Sequence, residues 1–165
     1  KSELLKSGSK ETAENILSLS DRTLMACEEL VVQLEKTAQR QSARLVNLSG
    51  RQRMLSQRIA KFYNALSLAG DNPDYSEKLN SSVDEFESAL NQLINSSENT
   101  RFVAHKLKKV KTQWNFSKQG FKLLSKGTST PLVISMTTET ILKQMNDITA
   151  LYEEIDLNKK KVAAS

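Results

Sequence analysis

The residues with the most chemical promise fall between Leu45 and Leu68. Placed on a helical wheel of about 100° per residue, Leu45, Leu48, Leu55, Ile59, Phe62 and Leu66 gather on one side, the side of a core. Nearly opposite lie Val46, Gly50, Arg53, Met54 and Gln57. A glycine inside a helix costs about 0.5–1 kcal/mol relative to alanine, so its position asks for a reason. Close approach of a second backbone, or of a ligand, supplies one. Arg53 stands three residues beyond Gly50 and shares its face. A guanidinium fork beside uncovered helix backbone suits a small planar oxyanion. An exposed arginine next to an incidental glycine has the same pattern, and the residues alone leave both readings open.

Other chemistries are poorly supplied. One cysteine, Cys27, and one histidine, His105, exclude an internal disulfide framework and leave little for zinc or for Ser-His-Asp catalysis. Neighbouring carboxylates such as Asp84/Glu85 and Glu153/Glu154 are adjacent, so they do not converge on one helical face. No glycine-rich phosphate loop, nucleophile elbow or metal motif occurs. The reading is therefore of a protein that is not an enzyme and takes no cofactor or metal. Cys27 and Trp114 sit on apolar stripes and read as core residues, while His105 lies on an exposed face among lysines.

The elements that must hold these residues are helices. Of 165 residues, 38% are apolar and only 5 are Gly and 2 Pro, which suits a folded core with few turns. Residues Ile16 to Ala38 place Leu17, Leu24, Cys27, Val31, Leu34 and Ala38 on one stripe. A second helix covers Leu45 to Leu68 and stops at Gly70-Asp71-Asn72-Pro73, where Asn72 caps the next. Leu79, Val83, Phe86, Leu90 and Leu93 mark the third, and Ser96 to Thr100 a tight turn. Val103, Leu107, Val110, Trp114, Ser117, Phe121 and Leu124 mark the fourth. Gly127 to Pro131 is a further stop and start with Thr130 as cap, and the last helix runs to about Asp156. The fold class is all-α: an antiparallel four-helix bundle over 41–157, a long additional N-terminal helix in 1–40, and a frayed basic tail at 158–165. Lys36 to Ser49 contains neither Pro nor Gly. One arrangement is thus a continuous helix of about 90 Å at 1.5 Å per residue; a bend at Gln39–Ser42 is the other. Offsetting the first helix by 117 positions lays Leu17, Leu24 and Val31 on Ile134, Ile141 and Ile148, either through a shared apolar period or as the trace of a tandem repeat.

Charge is sorted by helix. No acid lies between Glu35 and Asp71 or between Glu98 and Glu139, whereas the helix between them is acidic. Trading of charge between neighbouring helices accounts for this. The net charge of +5 is a mild attraction for anions, but the scarcity of aromatic residues among the lysines and the lack of a groove-reading element argue against nucleic acid as a partner. No apolar run reaches the roughly 20 residues that cross a bilayer.

The stretch from Val46 to Lys61, VNLSGRQRMLSQRIAK, closely resembles the signature helix of PilJ-type domains, the N-terminal sensory domains of type IV pili methyl-accepting chemotaxis transducers, which are related to the periplasmic domains of bacterial nitrate sensor kinases. The resemblance implies a four-helix bundle that dimerises through its signature helices. It also implies one anion held between two copies by a Gly-x-x-Arg pair, here Gly50 and Arg53, with Met54, Ser56 and Arg58 matching the motif. Arg51 stands where the nitrate sensors carry a smaller residue. The candidate ligand-binding set is Asn47, Gly50, Arg53, Met54 and Gln57. The expected partners are a nitrate- or nitrite-like anion, a second copy of the chain and a further protein. Family receptors carry membrane spans on both sides of the domain, where this chain has a polar helix and a lysine-rich end. The chain is thus expected to be a receptor piece or, as the 117-residue offset favours, an exported stand-alone member. It would be periplasmic, or lodged in an organelle lumen. The competing functional reading is a structural or protein-interaction bundle that keeps the signature helix for dimer packing and binds no ligand.

Overall fold

The computed structural model describes residues 10–37, 41–70, 72–124, 128 and 130–163. Among the described residues there are five helices and no strands: α1 (Lys10–Thr37), α2 (Gln41–Ala69), α3 (Pro73–Ile94), α4 (Arg101–Leu124) and α5 (Pro131–Ala163). The chain divides into two units, 1–39 and 40–165.

The first unit holds α1. Leu17, Leu24 and Val31 of its apolar stripe are half-buried. Ile16, Leu19, Met25 and Leu30 are exposed, and so is Cys27, which the apolar stripe had assigned to a core. A single helix has no second layer within its own unit, so even a small side chain on the stripe stays accessible. The side chain of Leu34, all of Ala38, and the 38–40 segment that decides between a continuous helix and a bend lie outside the described residues.

In the second unit the helix ends follow local chemistry. Gly70 adopts φ +74°, a left-handed value that glycine takes without penalty, and its N–H donates to the Leu66 carbonyl at 3.0 Å. The Asn72 side chain then accepts from Tyr75 N at 3.2 Å, with Pro73 opening α3. Across the next turn, Asn99 Nδ2 donates to the Leu93 carbonyl at 2.7 Å, and Thr100 Oγ1 accepts from Val103 N at the start of α4.

Within the second unit each helix packs on its sequence neighbour, and α5 closes the ring on α2. The pairs run in opposite senses. Early in α2, Ser42 donates to Asp156 near the end of α5 at 2.6 Å; late in α2, Asn64 donates to Ser135 near the start of α5 at 3.1 Å. The shared core includes Leu55, Ile59, Phe62, Phe86, Leu107, Trp114, Ile141 and Ile148. Trp114 stacks on Phe86 with ring centroids 4.2 Å apart. Gly120 permits the tightest approach: a Cβ there would meet Ile134 Cδ1 at 2.5 Å.

Buried tyrosines tie both ends of the unit. Tyr63 accepts from Thr130 N at 2.9 Å, meets Thr130 Oγ1 at 3.2 Å, and donates to the Gly120 carbonyl at 3.3 Å. Thr130, expected as the cap of α5, directs its hydroxyl to Tyr63 of α2. At the other end Tyr152 donates to Asn99 Oδ1 at 2.6 Å. Burial pushes the Tyr152 phenol up to about 12.

Charge is traded across the seams. Glu87 of α3 receives Lys118 at 2.8 Å and Lys111 at 3.4 Å, and Lys106 of α4 reaches Asp147 at 2.9 Å. The basic C-terminal segment is not a frayed tail: α5 continues through Lys159, Lys160 and Lys161 to Ala163. Lys159 pairs with Glu98 and Lys160 with Asp156, and cations in a last turn complement the helix dipole.

Tyr63→Phe strips one hydroxyl from three partners and should lower unfolding free energy by about 1–3 kcal/mol in urea denaturation; an unchanged midpoint would show the knot to be dispensable. The hydrogen bond from Lys118, opposed by burial and aided by the charges of Lys118 and Lys111, holds the Glu87 carboxyl below its ordinary 4.5. Its stabilising effect is therefore complete above that value and is lost as pH falls through the lowered pKa. Denaturation midpoints of the parent and Glu87→Gln should differ at pH 7 and converge in acid.

Candidate functional site

The wheel of α2 has a wider buried face than its apolar residues indicate. Between Leu45 and Leu66 the helix buries Ser49, Gln52, Ser56 and Tyr63 as well as Leu45, Leu55, Ile59, Phe62 and Leu66, and Ser42 is buried one turn earlier. The cause is geometric, since α2 is flanked by α3 and α5 together. For the same reason Val46 and Met54, placed opposite the core by the wheel, are half-buried and packed against the core cluster. Met54 therefore contributes to packing against the core cluster.

Gly50, Arg53 and Gln57 do share an outward strip, at spacings of three and four residues along one helix. Gly50 is half-buried, yet a Cβ built on it would meet nothing within 4 Å. Nothing inside the described structure requires glycine there. Asn47, one turn before Gly50, is half-buried. Gln57 is exposed and lines an open groove with Ala60, Lys61 and Asn64 of α2 and Ser135, Met136, Thr138 and Glu139 of α5.

The arginines of α2 divide by what they hold. Arg51 forms an ion pair with Glu85 of α3. Arg58 lies 6.0 Å from the Phe62 ring centroid, and Lys61 lies 4.6 Å from the same ring. Arg53 is half-buried, its Nε is shut off from solvent without a hydrogen-bond partner, and it makes no ion pair among the described residues. Its charge is unpaired among the described residues, in a site that already excludes part of the water, where a charge-assisted contact gains strength. The chemistry on offer is recognition of an anion. Among the described residues no group of three or more His, Cys, Asp or Glu side chains is arranged to hold a metal ion.

Compared with known families, the chain matches the model described as PilJ, Type IV pili methyl-accepting chemotaxis transducer N-term, over residues 36–139. The matched span takes in α2, α3, α4 and the first turns of α5, and leaves out nearly all of α1. No curated protein and no solved structure matches the chain.

The buried residue that the apolar pattern misses is Gln52. It is 0% exposed, and neither its Oε1 nor its Nε2 has a hydrogen-bond partner. Its signal was the strict seven-residue series Leu45, Gln52, Ile59, Leu66, in which an amide occupies an apolar position. An unpaired buried amide costs about 1–3 kcal/mol. Gln52→Leu should therefore raise unfolding free energy by a similar amount, read as a higher thermal midpoint in calorimetry. A lower midpoint would mean that the amide is satisfied in solution.

Proposed function

The chain belongs to the PilJ family of chemotaxis-transducer N-terminal domains, and on that footing we propose that it is a non-catalytic sensory module, an antiparallel four-helix bundle that binds a small planar oxyanion such as nitrate or nitrite between two copies. The observation that carries this reading is Arg53: a half-buried guanidinium with no partner among the described residues, one turn from a glycine whose added Cβ would meet nothing within 4 Å among them. A helix that accepts the cost of glycine without an internal packing reason is suited to an external one. Contact between two α2 helices supplies it and repeats Gly50 and Arg53 about a two-fold axis. The two guanidinium groups then repel each other until an anion sits between them, so ligand and dimer stabilise one another.

The family's role in chemotaxis transducers supports sensing, and it also favours an exported, periplasmic setting. No helix among the described residues is long and apolar enough to cross a membrane. In this reading the committed cations Arg51 and Arg58 shape the field around the site, while Arg53 alone grips the anion.

In a nitrate titration followed by calorimetry, the thermal midpoint of the parent should rise and that of Arg53→Ala should stay flat. Arg53→Lys keeps the charge but loses the planar fork, so its response should be much weaker. Sulfate and chloride serve as comparison anions. Equal shifts in the parent and Arg53→Ala would remove this site and favour an interaction bundle without a ligand. Separately, sedimentation at about tens of micromolar should find the parent dimeric and Gly50→Leu, whose side chain holds the backbones apart, largely monomeric.

A further inference from the structure

We propose that the outward face of α4 is a docking surface for an acidic amphipathic helix of a partner protein. The surface lies on a different helix from the anion site and stands independently of it.

Six of the seven lysines and arginines of α4 fall into two groups. Lys106, Lys111 and Lys118 sit on its flanks, each paired with an acid on α3 or α5. Arg101, Lys108 and Lys109 are exposed and make no ion pair among the described residues. The sequence carries no acid between Glu98 and Glu139 that would neutralise them locally. Charge trading within the fold thus accounts for the first group and leaves the second without an internal purpose.

Apolar residues run through this basic face in register. Phe102 is 59% exposed, Phe116 58% and Leu123 40%, and with Lys109 they occupy positions 102, 109, 116 and 123. A seven-residue spacing drifts only about 20° per repeat, so the four residues form one line about 32 Å long on the surface of the helix. The line is one residue wide, because His105, Lys108, Thr112, Asn115 and Gln119 beside it are polar and exposed. A lipid surface takes an apolar face roughly 100° wide or more. A one-residue apolar line flanked by charge matches the apolar stripe of a single helix laid along it. Three unpaired cations along that line select a partner with Asp or Glu at its flanking positions, and they speed the encounter.

The test uses the whole chain and a synthetic helix of about four heptads with Leu at the seam and Glu on both flanks. Isothermal titration should find it binding, and an analogue with every Glu replaced by Lys should bind at least about tenfold more weakly. The double variants Lys108→Glu/Lys109→Glu and Phe102→Ser/Phe116→Ser should each weaken the acidic helix about tenfold or more. Their thermal midpoints should match the parent, since all four residues are exposed. The proposal is overturned if the acidic and basic helices bind alike, if neither binds at about millimolar concentration, or if the variants bind like the parent. Cosedimentation with phosphatidylglycerol vesicles that depends on Phe102 and Phe116, without binding of the acidic helix, would assign the face to lipid and overturn it too.

Discussion

Burial of one face of α2 against α3 and α5 is the constraint from which the rest of the second unit follows. The series Leu45, Leu55, Ile59, Phe62 and Leu66 supplies the apolar area, and every other helix of the unit contributes to the cluster it enters. Rotation of α2 would drive these side chains into water at about 1.5–3 kcal/mol each. Ser42 on Asp156 and Tyr63 on Thr130 fix its position along α5 from both ends. With rotation and register both fixed, the outward strip of Gly50 and Arg53 is set by the core behind it and needs no contacts of its own.

Much of this architecture was legible in the residues. Apolar spacing located α2 to α5, and Gly70, Asn72 and Pro73 marked the first turn because each acts through its own backbone or that of the next few residues. The pairing of Gly50 with Arg53 on one strip needed only helical geometry. Other features depend on neighbours that are remote in sequence. The packing of Met54 against the core was not legible because the wheel knows one helix and not the two that flank it. Thr130 and Tyr63 lie 67 positions apart, and no local pattern couples them. The end of α5 read as a tail because Lys159 finds Glu98, 61 positions away, only once the helices are packed. That Arg51 is engaged and Arg53 is not rests on the position of Glu85 across the seam, which the sequence of α2 does not contain.

The two faces left without internal partners occupy helices that are not neighbours in the ring. α2 touches α3 and α5, and so does α4, which sets the two across the core from each other. The strip with Arg53 and the seam from Phe102 to Leu123 therefore look out on opposite flanks. Between them lies a layer with little slack: the Arg51–Glu85 ion pair places Gln52 and Phe86 at one level, and Phe86 is stacked on Trp114. A perturbation that tilts α2 has a short packed route to α4, by way of side chains with few alternative arrangements.

That route has an optical consequence. Trp114 is the sole tryptophan, fully buried, with Phe86 on one side and Phe121 at 5.7 Å, and its indole N–H has no partner. An indole in so dry a setting emits at the blue end of its range, and water or a new acceptor reaching Nε1 moves that emission to the red. The fold thus carries its own chromophore at the seam between α3 and α4. Its fluorescence reads the state of the core without a label and without any other tryptophan to dilute the signal.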